Sequence, residues 1–149
     1  MTQLSEHFSL EELTFSETAS RLGIDNTPTQ DLIDHAKLYL IPGLERVRTL
    51  LNLPVKINSG YRSISLNENV PGSSNTSQHT RFEAADITCP QFGSPMQIAK
   101  LLIENKDIIL FDQIILEYNS WCHISFFVTN RFSVLTKKTG TPYMNGLIA

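Results

Sequence analysis

A chain of 149 residues with 41% hydrophobic and 18% charged residues has enough apolar side chain for one domain, 1–149, with its own core. Its formal charge of −3 and its scattered Lys and Arg leave no basic field for nucleic acid. No apolar run approaches the roughly 20 residues of a membrane helix; the longest, IILFDQIILEY at 108–118, is interrupted by Asp112 and Gln113, so no membrane insertion is expected.

The N-terminal MTQLSEHFSLEE lacks a basic stretch followed by an apolar one, so the chain reads as made in the cytoplasm without a secretory signal. A target outside the cytoplasm then requires release by another agent. Cys89 and Cys122 form no CxxC pair and are too few for a cysteine-rich zinc site; two buried free thiols are expected.

In chain order, FSLEEL (8–13) carries Ser9 and Glu12, a capping box that opens a short helix. A second short helix spans 17–22 and stops at Gly23. Thr27-Pro28-Thr29-Gln30 offers an N-cap, a first-turn proline and a capping glutamine for a helix bearing Leu32, Ala36, Tyr39 and Leu40. Pro42-Gly43 should kink or break it before Leu44, Val47, Leu50 and Leu51 continue a helical face. PVKINS (54–59) alternates as a strand, 60–78 is a long loop rich in Gly, Ser and Asn, and AADIT (84–88) is a second strand. Ser94-Pro95-Met96-Gln97 caps a helix reaching about Asn105. Strands over 108–118 and 121–128 form a hairpin.

Chemistry concentrates in SQHTRFEAADI (77–87) and in that hairpin. His79 and Asp86 are too far apart for one metal on a straight helix, which rises ~10.5 Å over seven residues. A loop running into a strand can fold His79 back over Asp86. A turn at Asn119, Ser120 and Trp121 pairs Tyr118 with Cys122 and Glu117 with His123. Glu117 and His123 then share a face with Gln113 and Ser125, while Ile114, Leu116, Ile124 and Phe126 face the core. His79, Asp86 and His123 suffice for a catalytic zinc with an open fourth position, and Glu117 is placed to act as general base. On spacing alone the bland alternative stands beside it: a solvated His79, a turn or cap Asp86, and an ordinary Glu117–His123 cross-strand pair. His35, between Asp34 and Lys37, reads as part of a solvated helix face.

SQHTRFEAADI resembles the Ser-x-His-x-x-Gly-x-Ala-x-Asp motif of the zinc D-Ala-D-Ala carboxypeptidase family, which includes L-alanyl-D-glutamate endopeptidases and shares its fold with the hedgehog signalling domain. SGYRSISLNENVPGSS (59–74), FDQIILEYNSWCHISF (111–126) and FSLEELTFSETASRLGIDNTP (8–28) agree with it in the same order. The resemblance implies an α+β domain, a small antiparallel sheet with helices on one face. It implies one Zn2+ held by His79, Asp86 and His123, with Glu117 as catalytic base. It also implies that Arg62 lies near the scissile carbonyl, and that Ser77 and Gln113 contact substrate.

Two positions depart from the motif. Phe82 stands at the motif glycine; phenylalanine suits neither positive φ nor close backbone approach, so the loop is expected to take another path, its ring lining the groove or filling the core. Trp121 stands where hedgehog domains carry a second histidine and is expected to wall the cleft. The leading reading is a monomeric zinc metallopeptidase cutting stem peptides or cross-links of peptidoglycan in the bacterial cell wall, as a phage-type lysis enzyme does. The alternatives are a catalytically inactive zinc-containing wall-binding module and a structural component of a phage or secretion particle.

Overall fold

The computed structural model describes all of residues 1–149. Helix α1 (Leu10–Thr14) opens on the expected capping box: the Glu12 N–H donates to Ser9 Oγ at 3.2 Å and the Ser9 N–H to Glu12 Oε2 at 3.1 Å. Helix α2 (Glu17–Leu22) closes on Gly23 at φ 67°. Helix α3 (Gln30–Leu38) starts two residues later than the TPTQ pattern suggests. Thr29 caps it by accepting from the Leu32 N–H at 3.3 Å, while the Thr27 N–H is spent on Asp25 Oδ1 at 3.0 Å.

The helix breaks at Tyr39 (φ −122°, ψ −60°), three residues before Pro42, and α4 (Leu40–Leu51) follows. A proline ring clashes with the carbonyl four positions back, here that of Leu38, so the chain must leave helical geometry upstream of it. Gly43 serves packing: a Cβ there would lie 2.4 Å from the Phe126 ring.

Strands β1 (Lys56–Ser59), β2 (Ala84–Thr88), β3 (Gln113–Glu117), β4 (Trp121–Ser125), β5 (Ser133–Lys137) and β6 (Met144–Asn145) form one sheet in the order β1-β2-β4-β3-β5-β6. All neighbours are antiparallel except β3 and β5, which run parallel. Helices α5 (Ile64–Glu68), α6 (Pro95–Glu104) and α7 (Lys106–Ile109) complete the fold. Ala85 and Ile87 of β2, Ile114 of β3 and Cys122 and Ile124 of β4 bury one sheet face against Leu40, Leu44, Val47, Ile98 and Leu102 of α4 and α6. Both cysteines are free and buried, as expected.

Three expectations change. The segment 60–78 is not all loop, because Ser63 caps α5 within it. Residues 108–110 belong to α7 and its left-handed end at Leu110, not to a strand; a short apolar run such as IILF satisfies either period. The hairpin register is shifted: the turn is Tyr118-Asn119-Ser120, so Glu117 pairs with Trp121 and Ile115 with His123. Tyr118 and Asn119 both adopt positive φ (55° and 50°), and the Ser120 N–H donates to the Glu117 carbonyl at 2.9 Å, the geometry of a type I′ turn. A shift of two residues in pairing preserves face. Gln113, Glu117, Trp121, His123 and Ser125 therefore still share the face away from the core, together with Ile115, and Glu117 lies diagonal to His123.

Candidate metal and catalytic centre

Ser77 opens a single 3₁₀ turn, Gln78–Arg81, by accepting the His79 N–H at 3.2 Å. Phe82 closes it at φ 58°, ψ 42°, with its N–H shared between the Gln78 and His79 carbonyls. The expectation of a different backbone path is thus corrected: Phe82 takes the left-handed conformation a glycine would take. Its ring is fully buried, 5.3 Å from that of Tyr61. Burying a phenyl ring gains ~1.5–3 kcal/mol, enough to offset the ~1–2 kcal/mol cost of that conformation. Phe82→Ala is expected to lose about 3–5 kcal/mol of stability. Phe82→Gly should recover roughly 1 kcal/mol relative to alanine, reversing the usual order. Urea unfolding of the two variants measures this, and a glycine variant no more stable than the alanine one contradicts it.

The turn presents His79 to the sheet. Its Nδ1 lies 2.6 Å from the Gly60 carbonyl, which places the proton there and leaves Nε2 with a free lone pair. Gly60 can approach only because it has no side chain: a Cβ there would lie 2.3 Å from the Leu13 carbonyl oxygen. Asp86 and His123 are directly paired across β2 and β4, on the sheet face away from the core. His79 Nε2 is 3.2 Å from Asp86 Oδ1 and 3.2 Å from His123 Nδ1, and His123 Nδ1 is 3.1 Å from Asp86 Oδ1. All three side chains are buried.

This triangle fits a metal. Tetrahedral zinc with bonds of ~2.0–2.1 Å separates its donor atoms by about 3.3 Å. Two imidazole lone pairs and a carboxylate oxygen facing one another at that spacing have no better common partner than a cation. Burial by itself would raise the Asp86 carboxyl, but when the histidines are protonated the His79 charge and hydrogen bonds from both imidazoles hold it well below the ordinary carboxylate range. Burial lowers His79, which favours the neutral imidazole that ligation requires.

Arg62 stands behind the carboxylate. Its N–H donates to the His79 carbonyl at 3.1 Å, and its guanidinium reaches Ser59 Oγ (3.1 Å), Asn67 Oδ1 (3.3 Å) and Asp86 Oδ2 (3.3 Å). It thus ties the Asp86 carboxylate to the loop that carries α5. Glu117 stands off the triangle, with Oε1 3.7 Å from His123 Nδ1. Burial first, and the Asp86 charge second, raise its carboxyl above the ordinary glutamate value. That shift makes Glu117 a better proton acceptor near neutral pH.

A cleft of about 800 Å³ opens over these groups. Arg62, Ser77, His79, Gln113, Glu117, Trp121 and His123 all line it, with Asp86 beneath. Gln113 is tied sideways to Ser133 Oγ at 3.2 Å. The Trp121 indole Nε1 is buried without a hydrogen-bond partner, directly across the hairpin from Glu117.

A family model described as peptidase M15 matches residues 6–125. The chain belongs to the peptidase M15 family. The resemblance read from its motifs holds at that level. Peptidases of this family are metal-dependent, in keeping with the His79–Asp86–His123 triangle. No curated protein matches the chain.

The M15 domain also carries a buried polar chain that sequence reading missed. Gln78 Nε2 donates to Glu83 Oε1 and to Asp112 Oδ2, each at 3.1 Å. His35, expected on a solvated face, instead lies 2.7 Å from Glu83 Oε2 and packs edge-on to Tyr39. Asp112 accepts from Thr129 Oγ1 (2.5 Å), the Arg131 N–H (3.1 Å) and the Arg131 guanidinium (2.7–3.1 Å). The signal was present in the sequence: a carboxylate inside IILFDQIIL must be buried, and a buried carboxylate needs a cation or several donors.

Burial alone would raise the Asp112 carboxyl, but hydrogen bonds from Arg131 and Thr129 overcome it and hold the group at about 2, against 3.8 ordinarily. A depressed folded value means stability present above the unfolded value and lost as pH falls through the folded one. Stability should therefore drop between about pH 4 and pH 2 in the wild type, and the Asp112→Asn variant should lose that component of the slope. At neutral pH the variant should be about 1–3 kcal/mol less stable. Urea unfolding over a pH series measures both.

Proposed function

We propose that this chain is a zinc peptidase that hydrolyses peptide bonds in the stem peptides or cross-links of peptidoglycan. The observation that carries the reading is the buried triangle of donor atoms at 3.1–3.2 Å with a carboxylate of raised pKa 3.7 Å from it, at the floor of a cleft large enough for a short peptide. Peptidoglycan enters through the likeness of SQHTRFEAADI and its companion segments to wall peptidases. The setting that follows is the bacterial cell wall, reached by a monomeric chain released from the cytoplasm.

When bound by His79, Asp86 and His123, zinc supplies a Lewis acid that acidifies water and polarises a carbonyl. The protein supplies the rest. The Gly60 carbonyl fixes the His79 tautomer. Arg62 holds Asp86 through Oδ2, so that Oδ1 faces the histidines. Glu117 takes a proton from the water that adds to the peptide carbonyl carbon. As the C–N bond breaks, Glu117 hands that proton to the departing amine.

Arg62 is then chiefly the residue that orients a ligand. Partners of this kind typically govern ~10–100-fold of metal affinity or activity. Lysine cannot span three acceptors as the guanidinium fork does. Arg62→Lys is expected to weaken zinc binding by roughly that factor, with activity restored at excess zinc. Unchanged affinity with a lower kcat would instead assign Arg62 to the reacting carbonyl. Digestion of purified peptidoglycan with and without chelator, followed by mass spectrometry of the released muropeptides, tests the function itself. Absence of any chelator-sensitive product overturns it.

A further inference from the structure

The cleft has a second end. Asp112 lies three residues before Ile115, the β3 partner of His123, so at ~3.3 Å per residue it sits about 10 Å along the sheet from the donor triangle. There the buried chain described above holds two arginines. Arg131 is clamped by Asp112 through Nε and Nη2. Arg81 donates from Nε to Glu83 Oε1 at 3.3 Å and from Nη1 to the Thr76 carbonyl at 3.2 Å. Gln78 joins the two anchoring carboxylates, so the guanidiniums flank one amide. Each keeps a terminal nitrogen without a partner: Nη2 of Arg81 and Nη1 of Arg131. Both side chains are half exposed and both line the cleft. The carboxylates that hold them are buried and already saturated with donors from the protein. A ligand in the cleft therefore meets open guanidinium donors rather than the acids beneath.

We infer that Arg81 and Arg131 form a carboxylate-binding subsite that selects acidic peptides and sets how they lie across the catalytic centre. This rests on the peptidase reading and deepens it. Arginines held by buried acids are pre-organised, so little side-chain entropy is lost when they bind. The backbone that anchors Arg131 at Asp112 stands from Ile115 by about three residues of extended peptide, at ~3.3–3.6 Å each. The substrate class is thus a peptide with a free carboxylate two or three residues from the bond that is cut. Arg131 lies beyond the residues that the family model covers, so half of the subsite is contributed by the C-terminal segment of this chain.

The test uses two pairs of stem pentapeptides. In one pair the second residue carries a free carboxylate or a carboxamide; in the other the same change is made at the C-terminus. Dissociation constants are measured by calorimetry on the zinc-loaded Glu117→Gln chain, and again with Arg81→Gln or Arg131→Gln added. Cleavage by the zinc-loaded wild-type chain is followed separately. A charge-assisted pair of hydrogen bonds should make the acid of at least one pair bind roughly tenfold to a hundredfold tighter than its amide. Each arginine substitution should bring that ratio close to one while leaving affinity for the amide within about threefold, as expected when only a ligand's charged contact is removed. A ratio near one in both pairs, no binding of any peptide, or a ratio that survives both substitutions overturns the subsite. An equal loss for acid and amide also overturns it, since it marks the arginines as structural. Selective binding without cleavage by the wild type leaves the subsite standing and brings down the peptidase reading.

Discussion

Glu117→Gln is expected to lower peptidase turnover by about 10²–10⁴-fold while zinc content and folding stay as in the wild type. Glutamine keeps the shape of the side chain and can still donate or accept a hydrogen bond, but it cannot take a proton from water. The position supports a role in catalysis rather than in ligation. Glu117 Oε1 is 3.7 Å from His123 Nδ1, outside the 3.1–3.2 Å triangle, and the residue ends β3 where the hairpin turns over the cleft. Its environment fits the same task, since burial and the Asp86 charge both raise its carboxyl. If the substitution acts only on proton transfer, kcat and kcat/KM should fall together. Full activity in a zinc-replete variant would move the base elsewhere and leave Glu117 as a hairpin residue.

The parts of this site that the sequence disclosed are those governed by period and by local chemistry. Alternation along both arms of the hairpin assigns His123, Glu117, Gln113 and Ser125 to one face, and that assignment survives a register error; the β2–β4 pairing that sets Asp86 beside His123 is visible only in the structure. The difference arises because Tyr118 is an improbable left-handed residue, so Asn119, Ser120 and Trp121 read as the turn from sequence. Phe82 shows the converse. The motif glycine predicted a special backbone, the substitution suggested its loss, and packing against Tyr61 kept it. Long-range pairing left no local trace. Nothing in LIDHAK announces that His35 meets Glu83, and nothing in TNRFS announces that Arg131 clamps Asp112. The parallel pairing of β5 with β3 is equally silent, since it depends on where the chain returns after residue 125 and not on any period within it.

Removing one ligand separates a metal centre from a buried polar cluster. His123→Ala should reduce bound zinc by about one equivalent per chain and abolish activity, because two remaining ligands no longer close the three-protein-ligand set of a catalytic site. Stability gives an independent reading. Zinc that binds the folded chain and not the unfolded one adds RT ln(1 + [L]/Kd), about 4 kcal/mol when free metal is a thousandfold above Kd. Chelator should therefore lower the melting temperature of the wild type by several degrees and leave that of His123→Ala almost unmoved. The alternative is a histidine–aspartate cluster held by its own hydrogen bonds and the Arg62–Asp86 pair at 3.3 Å. In that case His123→Ala would cost stability with or without chelator, and the wild type would not respond to chelator at all. The two descriptions diverge most in the wild type, where a metal-dependent melting temperature has no source in a metal-free cluster. Equal zinc in wild type and His123→Ala would remove His123 from the ligand set, and the spacing argument built on its Nδ1 with it.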